Sequence, residues 1–115
     1  MTPLELKDTL ISIIKEKKVD DLTVIDVAAQ TEIADYMIIL SGKNNTNVRM
    51  LCDFIEEKAE EKGVYATRKD GVREGRWVVM DYASVIVHIF NKEMRGYFNL
   101  ESLWEKDGNV TKIDD

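Results

Sequence analysis

The chain of 115 residues contains one cysteine, one proline and one histidine, and it has no long run of apolar residues. A single cysteine cannot form an intramolecular disulfide, and no charged-then-apolar segment opens the chain. We therefore expect no leader segment and a reducing compartment, the cytoplasm. The apolar runs have the length of strands and are interrupted by polar residues, so we expect no membrane-spanning segment. A single domain of this length can bury about two-thirds of its unfolded surface and needs no disulfide to hold a core.

Basic residues are also in short supply, because 16 Lys and Arg face 22 Asp and Glu, which gives a formal charge of −6. Affinity for naked nucleic acid comes mostly from basic side chains that neutralise phosphates. The charge balance therefore argues against duplex binding and favours a basic protein surface as partner. Residues 68–76 carry four basic and two acidic side chains. This local excess suffices only for a peripheral phosphate contact beside a larger protein contact.

Hydrophobic periodicity predicts the order helix, strand, strand, helix, strand, strand, strand, short helix and tail. The first helix begins after Thr2, and the second is capped by Asn45 or Thr46 and ends at Gly63. Strands are predicted at residues 22–27, 36–40, 64–67 and in two parts of 75–90. A short helical segment is predicted at residues 92–97, and residues 100–104 follow it before the tail. We therefore predict an α/β domain, a mixed sheet with flanking helices, over residues 1–104. Residues 105–115 form a polar tail that we expect to be loosely ordered.

Residues 75–90 are the most informative stretch, because they predict two strands joined by a tight turn at Ala83 and Ser84. Trp77 then lies opposite Phe90 in the pair of strands. Alternation places the following residues on one face of the sheet: Trp77, Val79, Asp81, Ile86, His88 and Phe90. The opposite face carries Val78, Met80, Tyr82, Val85, Val87 and Ile89. The second set is a core face, whereas the first is either a second buried layer or a face for a partner.

Candidate catalytic groups are few and poorly arranged. Cys52 lies on the apolar stripe of the second helix, where a buried hydrophobe is expected. His88 has no nearby metal-ligating residue, so we interpret it as a hydrogen-bonded structural histidine, although Asp81 on its face also allows a pH-sensitive or partner-facing pair. Asp26 and Asp35 border strands, but no predicted strand carries the pair of carboxylates that a metal-dependent nucleotidyltransferase needs. We predict no enzymatic activity, no cofactor and no metal.

Four segments of the chain, in order, resemble the Iojap family of bacterial ribosomal silencing factors (RsfS): residues 34–42, 75–82, 85–90 and 94–104. The resemblance extends from about Leu6 to Trp104. The sequence departs from the family's pattern at Ala83 and Ser84, where Gly-Asp is usual, and at Phe98, where a tyrosine is common.

The resemblance implies a nucleotidyltransferase-like fold that lacks the catalytic carboxylates. It also implies binding to the large ribosomal subunit, through its fourteenth protein at the intersubunit face. There the bound factor would prevent the small subunit from joining, repress translation when nutrients are short, and assist biogenesis of the large subunit. Transferred to this sequence, the partner-binding residues are Arg76, Trp77, Asp81, His88, Arg95 and Tyr97.

Two alternatives remain open at this point. Trp77 can form a cross-strand pair with Phe90 inside the core, since aromatic residues on strands commonly pack that way, instead of anchoring an interface. An apolar sheet face can also close a two-fold dimer. A self-associating structural or assembly protein is therefore the alternative function, and a homodimer away from the ribosome is compatible with both.

Overall fold

The computed structural model describes residues 1–113, which form a six-stranded mixed sheet with helices on both faces. The elements follow the chain as α1 (Pro3–Lys15), β1 (Asp20–Asp26), β2 (Tyr36–Gly42), α2 (Asn45–Glu61), β3 (Arg68–Asp70), β4 (Trp77–Asp81), β5 (Val85–Asn91), α3 (Lys92–Phe98), α4 (Leu100–Trp104) and β6 (Val110–Lys112). The strand order is β3-β4-β5-β2-β1-β6. Strands β2 and β5 are parallel, and the other neighbours are antiparallel. The predicted α/β class is confirmed.

Helix α1 begins where the sequence predicts. The backbone N–H of Glu5 donates to Thr2 Oγ1 at 3.1 Å, and the Thr2 N–H donates back to Glu5 Oε1 at 2.9 Å. This reciprocal pair is a capping box, which satisfies two donors that the first helical turn leaves free. The buried stripe of the helix consists of Leu6, Leu10, Ile13 and Ile14. No helix within residues 1–113 is long and apolar enough to cross a membrane.

Helix α2 begins one residue earlier than predicted. Its N-cap is Asn44, whose side chain accepts the backbone N–H of Asn47 at 2.8 Å, so the prediction of Asn45 or Thr46 is wrong. Asn44 has an extended backbone, which is the conformation that an N-cap requires. The helix runs to Glu61, and Gly63 beyond it takes a positive φ of 76°. The buried stripe is Val48, Leu51, Cys52, Ile55 and Ala59.

Helices α1 and α2 cover one face of the sheet, and α3 and α4 cover part of the other. The first core is aliphatic in the main and includes, from the strands, Leu22, Val24, Ile38, Leu40, Val78, Met80, Tyr82, Val85, Val87 and Ile89. The second core is smaller and consists of Ile25, Val27, Ala34, Met37, Ile39 and Phe90. Its border is formed by partly buried residues: Trp77, Ile86, Met94, Leu100, Trp104 and Val110.

Both edge strands of the sheet differ from the sequence prediction. The strand predicted at residues 64–67 is wrong, because the strand of this region, β3, lies in the adjoining segment Arg68–Asp70, and all of its residues are exposed. The expectation of a loosely ordered tail is wrong for β6, which pairs with β1. An edge strand needs partners for its backbone on one side only, so neither segment requires an alternating apolar pattern. The last two residues of the predicted tail lie outside the described residues.

Candidate protein-interaction site

The β4–β5 hairpin has the predicted register. Trp77 lies opposite Phe90, and Val79 lies opposite His88. The tight turn is made possible by Ala83, which takes a φ of 69°. The two predicted faces of the hairpin are therefore confirmed, and the face with Trp77 lies on the side of the sheet that α3 and α4 only partly cover.

Four aromatic side chains form a continuous group on this open side of the sheet. The Trp77 ring stacks on Phe90 with 5.0 Å between the ring centroids, and Phe98 of α3 lies 5.0 Å from Trp77. Tyr97 meets Phe98 edge-on at 5.1 Å. Exposure rises outward along this group, from fully buried Phe90 through partly buried Trp77 to Phe98 and Tyr97, which are 41% and 80% exposed. We call these four residues the aromatic cluster.

The position of Trp77 is compatible with both of the alternatives that the sequence left open. Its pairing with Phe90 is the contact that the core alternative requires. Yet its ring is only partly buried, and it borders the exposed rings of α3. A rigid aromatic side chain that is held from below and reachable from above is suited to anchoring a protein contact.

His88 fixes the orientation of Trp77. The indole Nε1–H donates to His88 Nδ1 at 3.1 Å, so the imidazole accepts at Nδ1 and carries its proton on Nε2. His88 is 7% exposed, and burial lowers its pKa to about 4. The imidazole is therefore neutral at pH 7, and its role is to hold the indole. Its Nε2 is buried without a hydrogen-bond partner within residues 1–113.

Asp81 and Arg76 lie at the two ends of β4. The Asp81 carboxylate accepts the backbone N–H of Ala83 at 2.7 Å, which stabilises the tight turn and leaves the side chain partly exposed. Within the described chain, Asp81 makes this hydrogen bond and none to His88, so the pair considered from the sequence does not form. The Arg76 side chain is exposed beside Trp77.

The basic segment next to Arg76 packs against α2. Arg49 of α2 donates to the carbonyl of Glu74 at 3.3 Å, and Gly75 takes a φ of 73° where an added Cβ would lie 2.6 Å from a backbone oxygen of α2. Two of its cations are engaged elsewhere, Arg68 with Asp70 at 3.2 Å and Lys69 with Glu56 at 2.7 Å. Arg73 and Arg76 remain exposed on a fixed loop.

Arg95, like His88, is a predicted site residue whose side chain the structure buries. It is 8% exposed. Its Nη1 donates to Ser41 Oγ at 3.1 Å, and its Nη2 donates to Glu101 Oε2 at 2.9 Å and to the carbonyl of Asp21 at 2.8 Å. The guanidinium therefore connects α3 to α4, β1 and β2, instead of pointing toward solvent beside Tyr97.

Two exposed apolar residues of α3 and α4 were not predicted as binding candidates from the sequence. Phe98 was noted only as a departure from a family pattern, and Leu103, which is 73% exposed, was not considered. Leu100 and Trp104 are one helical turn apart and both pack on the second core. That spacing places Leu103 off the packed side of α4, and this was the available signal.

Comparison with known proteins places the chain in a family. Its residues 1–115 match the family described as ribosomal silencing factor during starvation. The chain belongs to this ribosomal silencing factor (RsfS) family. The ribosomal silencing factor RsfS of Bacillus subtilis is 35% identical over 89 residues, which are 77% of this chain and 75% of that protein. The resemblance to the Iojap family is thereby confirmed.

Structures and more distant relatives agree with the assignment to the RsfS family. A crystal structure of a protein from Chromobacterium violaceum superposes with a TM-score of 0.86 at 28% identity, covering 95% of this chain and 92% of that one. A mouse protein named mitochondrial assembly of ribosomal large subunit protein 1 is 23% identical over 100 residues. That match covers 84% of this chain and 44% of the mouse protein.

Members of the RsfS family are named as silencing factors, which are regulators. The environment of Cys52, a candidate nucleophile considered from the sequence, agrees with a regulatory role. Its side chain is fully buried on α2, and burial raises the pKa of the thiol to about 11. A thiol in this state is not a nucleophile at neutral pH. Within residues 1–113, no group of three His, Cys, Asp or Glu residues is placed to hold a metal ion.

Proposed function

We propose that this RsfS-family protein binds the large ribosomal subunit through its fourteenth protein and blocks joining of the small subunit. Translation is thereby repressed when nutrients are short, in the cytoplasm. The observation that carries the proposal is the aromatic cluster, which ends in exposed Tyr97 and Phe98 above an incompletely covered sheet face. The name of the mouse relative, which refers to large-subunit assembly, supports the choice of subunit.

The chemistry of the cluster supports a protein partner. Aromatic residues and arginine are enriched in the cores of protein interfaces, where a few anchors provide most of the binding energy. The direct contacts in this proposal are Arg76, Trp77, Asp81, Tyr97, Phe98 and Leu103. His88 supports them from below by holding the Trp77 indole. The formal charge of −6 favours a basic partner, as ribosomal proteins commonly are.

In this proposal the bound protein silences translation by its size alone, without catalysing a reaction. The described chain measures 34 × 34 × 27 Å along its principal axes. A body of that size on the intersubunit face of the large subunit leaves no room for the small subunit to dock. No catalytic step is therefore part of the proposed mechanism.

The same placement brings Arg76 and Arg73 near ribosomal RNA as a peripheral contact. Both side chains are exposed on a loop that Arg49 fixes from behind. Contacts to phosphate position a protein without reading sequence. Two such contacts add affinity to a protein interface but do not replace it, since the rest of the chain is acidic.

Sedimentation of a cell lysate through a sucrose gradient tests the proposal. The protein is expected in the fractions of free large subunits and to be scarce on polysomes. With purified subunits, its addition before mixing should reduce joining measured by light scattering, and its addition after joining should have a smaller effect. Equal amounts on polysomes and free large subunits would contradict occlusion. A sedimentation profile of self-associated protein without subunits would favour the assembly alternative.

A further inference from the structure

The exposed part of the aromatic cluster stands on helices that cannot be stable alone. Helix α3 has 7 residues and α4 has 5, and isolated helices shorter than about 12 residues are marginal in water. The joint between them is Asn99, which takes a left-handed conformation with a φ of 31°. Something other than helix propensity must therefore hold Tyr97 and Phe98 in place.

A network around Arg95 spans this joint. Its Nε and Nη2 both donate to Glu101 Oε2, at 3.2 and 2.9 Å, which connects α3 to α4. The same guanidinium bonds Thr23 Oγ1 at 3.2 Å and Ser41 Oγ at 3.1 Å on the sheet. It also bonds the carbonyl of Asp21, which lies where the β1–β2 register is interrupted. An irregularity of this kind leaves backbone groups without a partner in the sheet.

The space where α3 and α4 approach β1 and β6 is not filled by apolar side chains. A cavity of about 430 Å³ lies there, and its lining includes Asp21, Arg95, Glu101 and Lys112. A charged group that is buried with its counter-charge and hydrogen-bonding partners costs much more to disturb than an exposed pair. The buried guanidinium is thus the polar connection between the sheet and both helices at this end, beside the apolar packing of α3 and α4 on the second core.

We propose that Arg95 is the positioning residue of the partner-binding surface. It fixes α3 relative to α4 and the sheet, and so presents Tyr97 and Phe98 in the orientation that the partner requires. It makes no contact with the partner itself. This inference rests on the proposed function for its effect on binding, whereas its effect on the two helices can be measured on the free protein.

The first variant is Arg95→Lys, which keeps the charge but loses the fork of donors. Its affinity for purified large subunits is expected to fall by about tenfold. The matched control is Lys92→Gln, which removes a second link from α3 to β1, the exposed pair of Lys92 with Asp20 at 3.0 Å. Exposed pairs contribute little, so this control should bind within about twofold of wild type. If Arg95→Lys does not fold, Ser41→Ala provides a milder test, because it removes one hydrogen bond of the Arg95 network.

A double-mutant cycle separates positioning from direct contact. In a Tyr97→Ala/Phe98→Ala background, Arg95→Lys should cost less than about twofold further affinity, because the side chains that it positions are gone. A loss of the same size in both backgrounds would overturn the proposal. Ile55→Val, which lowers stability at the opposite core, should leave the affinity of the folded protein unchanged, so a matching loss in that variant would also overturn it.

Hydrogen exchange on the free protein tests the positioning role of Arg95 without ribosomes. Arg95→Lys should accelerate exchange of the amides of α3 and α4 by about tenfold and leave β4 and β5 unchanged. Unchanged exchange in α3 and α4, or a uniform rise over the whole chain, would overturn the positioning role. If wild-type protein does not bind large subunits, the proposed function fails and the role of Arg95 at that surface fails with it, while this arm still decides whether Arg95 holds the helices.

Discussion

The two faces of the sheet are built in opposite ways. On the face covered by α1 and α2, the strand residues are nearly all aliphatic and buried, from Ile38 and Leu40 to Val87 and Ile89. On the face covered by α3 and α4, a histidine, a tryptophan and an acid accompany the apolar residues, and burial is incomplete. The first face provides most of the apolar burial that stabilises the fold. The second gives up part of that burial and leaves aromatic surface available to a partner.

The largest effect is expected from truncating a side chain in the core beneath α1 and α2, which should lower stability without changing the affinity for the partner. Ile55→Ala deletes a fully buried side chain of α2, so we expect unfolding free energy to fall by about 2 to 5 kcal/mol. Urea denaturation at pH 7 measures this loss. The fraction that remains folded should bind large subunits with wild-type affinity. Weaker binding by that fraction would mean that the two faces are not independent.

His88 makes the open face sensitive to acid. Because its folded pKa is about 4 and that of an unfolded histidine is about 6.5, the unfolded chain binds the proton first as the pH falls. Protonation of His88 therefore has no effect on the free energy of unfolding above pH 6.5. Between about pH 6.5 and pH 4 it lowers that free energy progressively, by about 3 kcal/mol in all.

The comparison that isolates this effect is wild type against His88→Gln, since glutamine can still accept the Trp77 N–H but does not titrate in this range. Urea denaturation at pH 7 and pH 4.5 should reveal a larger loss in the wild type. Equal losses in both proteins would show that carboxylates, and not His88, determine the acid sensitivity.

Salt should have the smallest effect on binding, and it should act at the rim of the open face. Steering between an acidic protein and a basic partner is screened over about 10 Å at 0.1 M salt. The association rate with large subunits, measured by stopped flow, is therefore expected to decrease as salt rises, with little change in the dissociation rate. An association rate that is independent of salt would contradict electrostatic steering between this protein and its partner.

The same contrast explains which parts of the structure the sequence predicts. Alternation in β4 and β5 specifies their faces and register, because a slip of one residue would move His88 and Asp81 to the core side. The edge strands β3 and β6 escape prediction, since backbone pairing alone defines them. The N-cap at Asn44 was missed by one residue because several neighbouring side chains can cap a helix.

At the candidate site, local patterns identify the aromatic residues but not the support beneath them. Trp77 and Tyr97 are prominent in the sequence and lie in one connected group in the structure. Arg95 was expected at the binding surface from the family resemblance alone, and arginine is rarely buried unless it is paired. Its partners Ser41 and Thr23 are 54 and 72 residues away in the chain, so no sequence window contains them.

The most direct test of the central claim compares two exposed tyrosines in one binding measurement. Tyr97 on the open face is 80% exposed, and Tyr65, outside the aromatic cluster, is 64% exposed. Tyr97→Ala should weaken binding to purified large subunits by about 2 kcal/mol, roughly thirtyfold, with little change in thermal stability. Tyr65→Ala should bind as wild type. Equal affinities of the two variants, or a larger loss in Tyr65→Ala, would contradict the claim that the open face holds the ribosome.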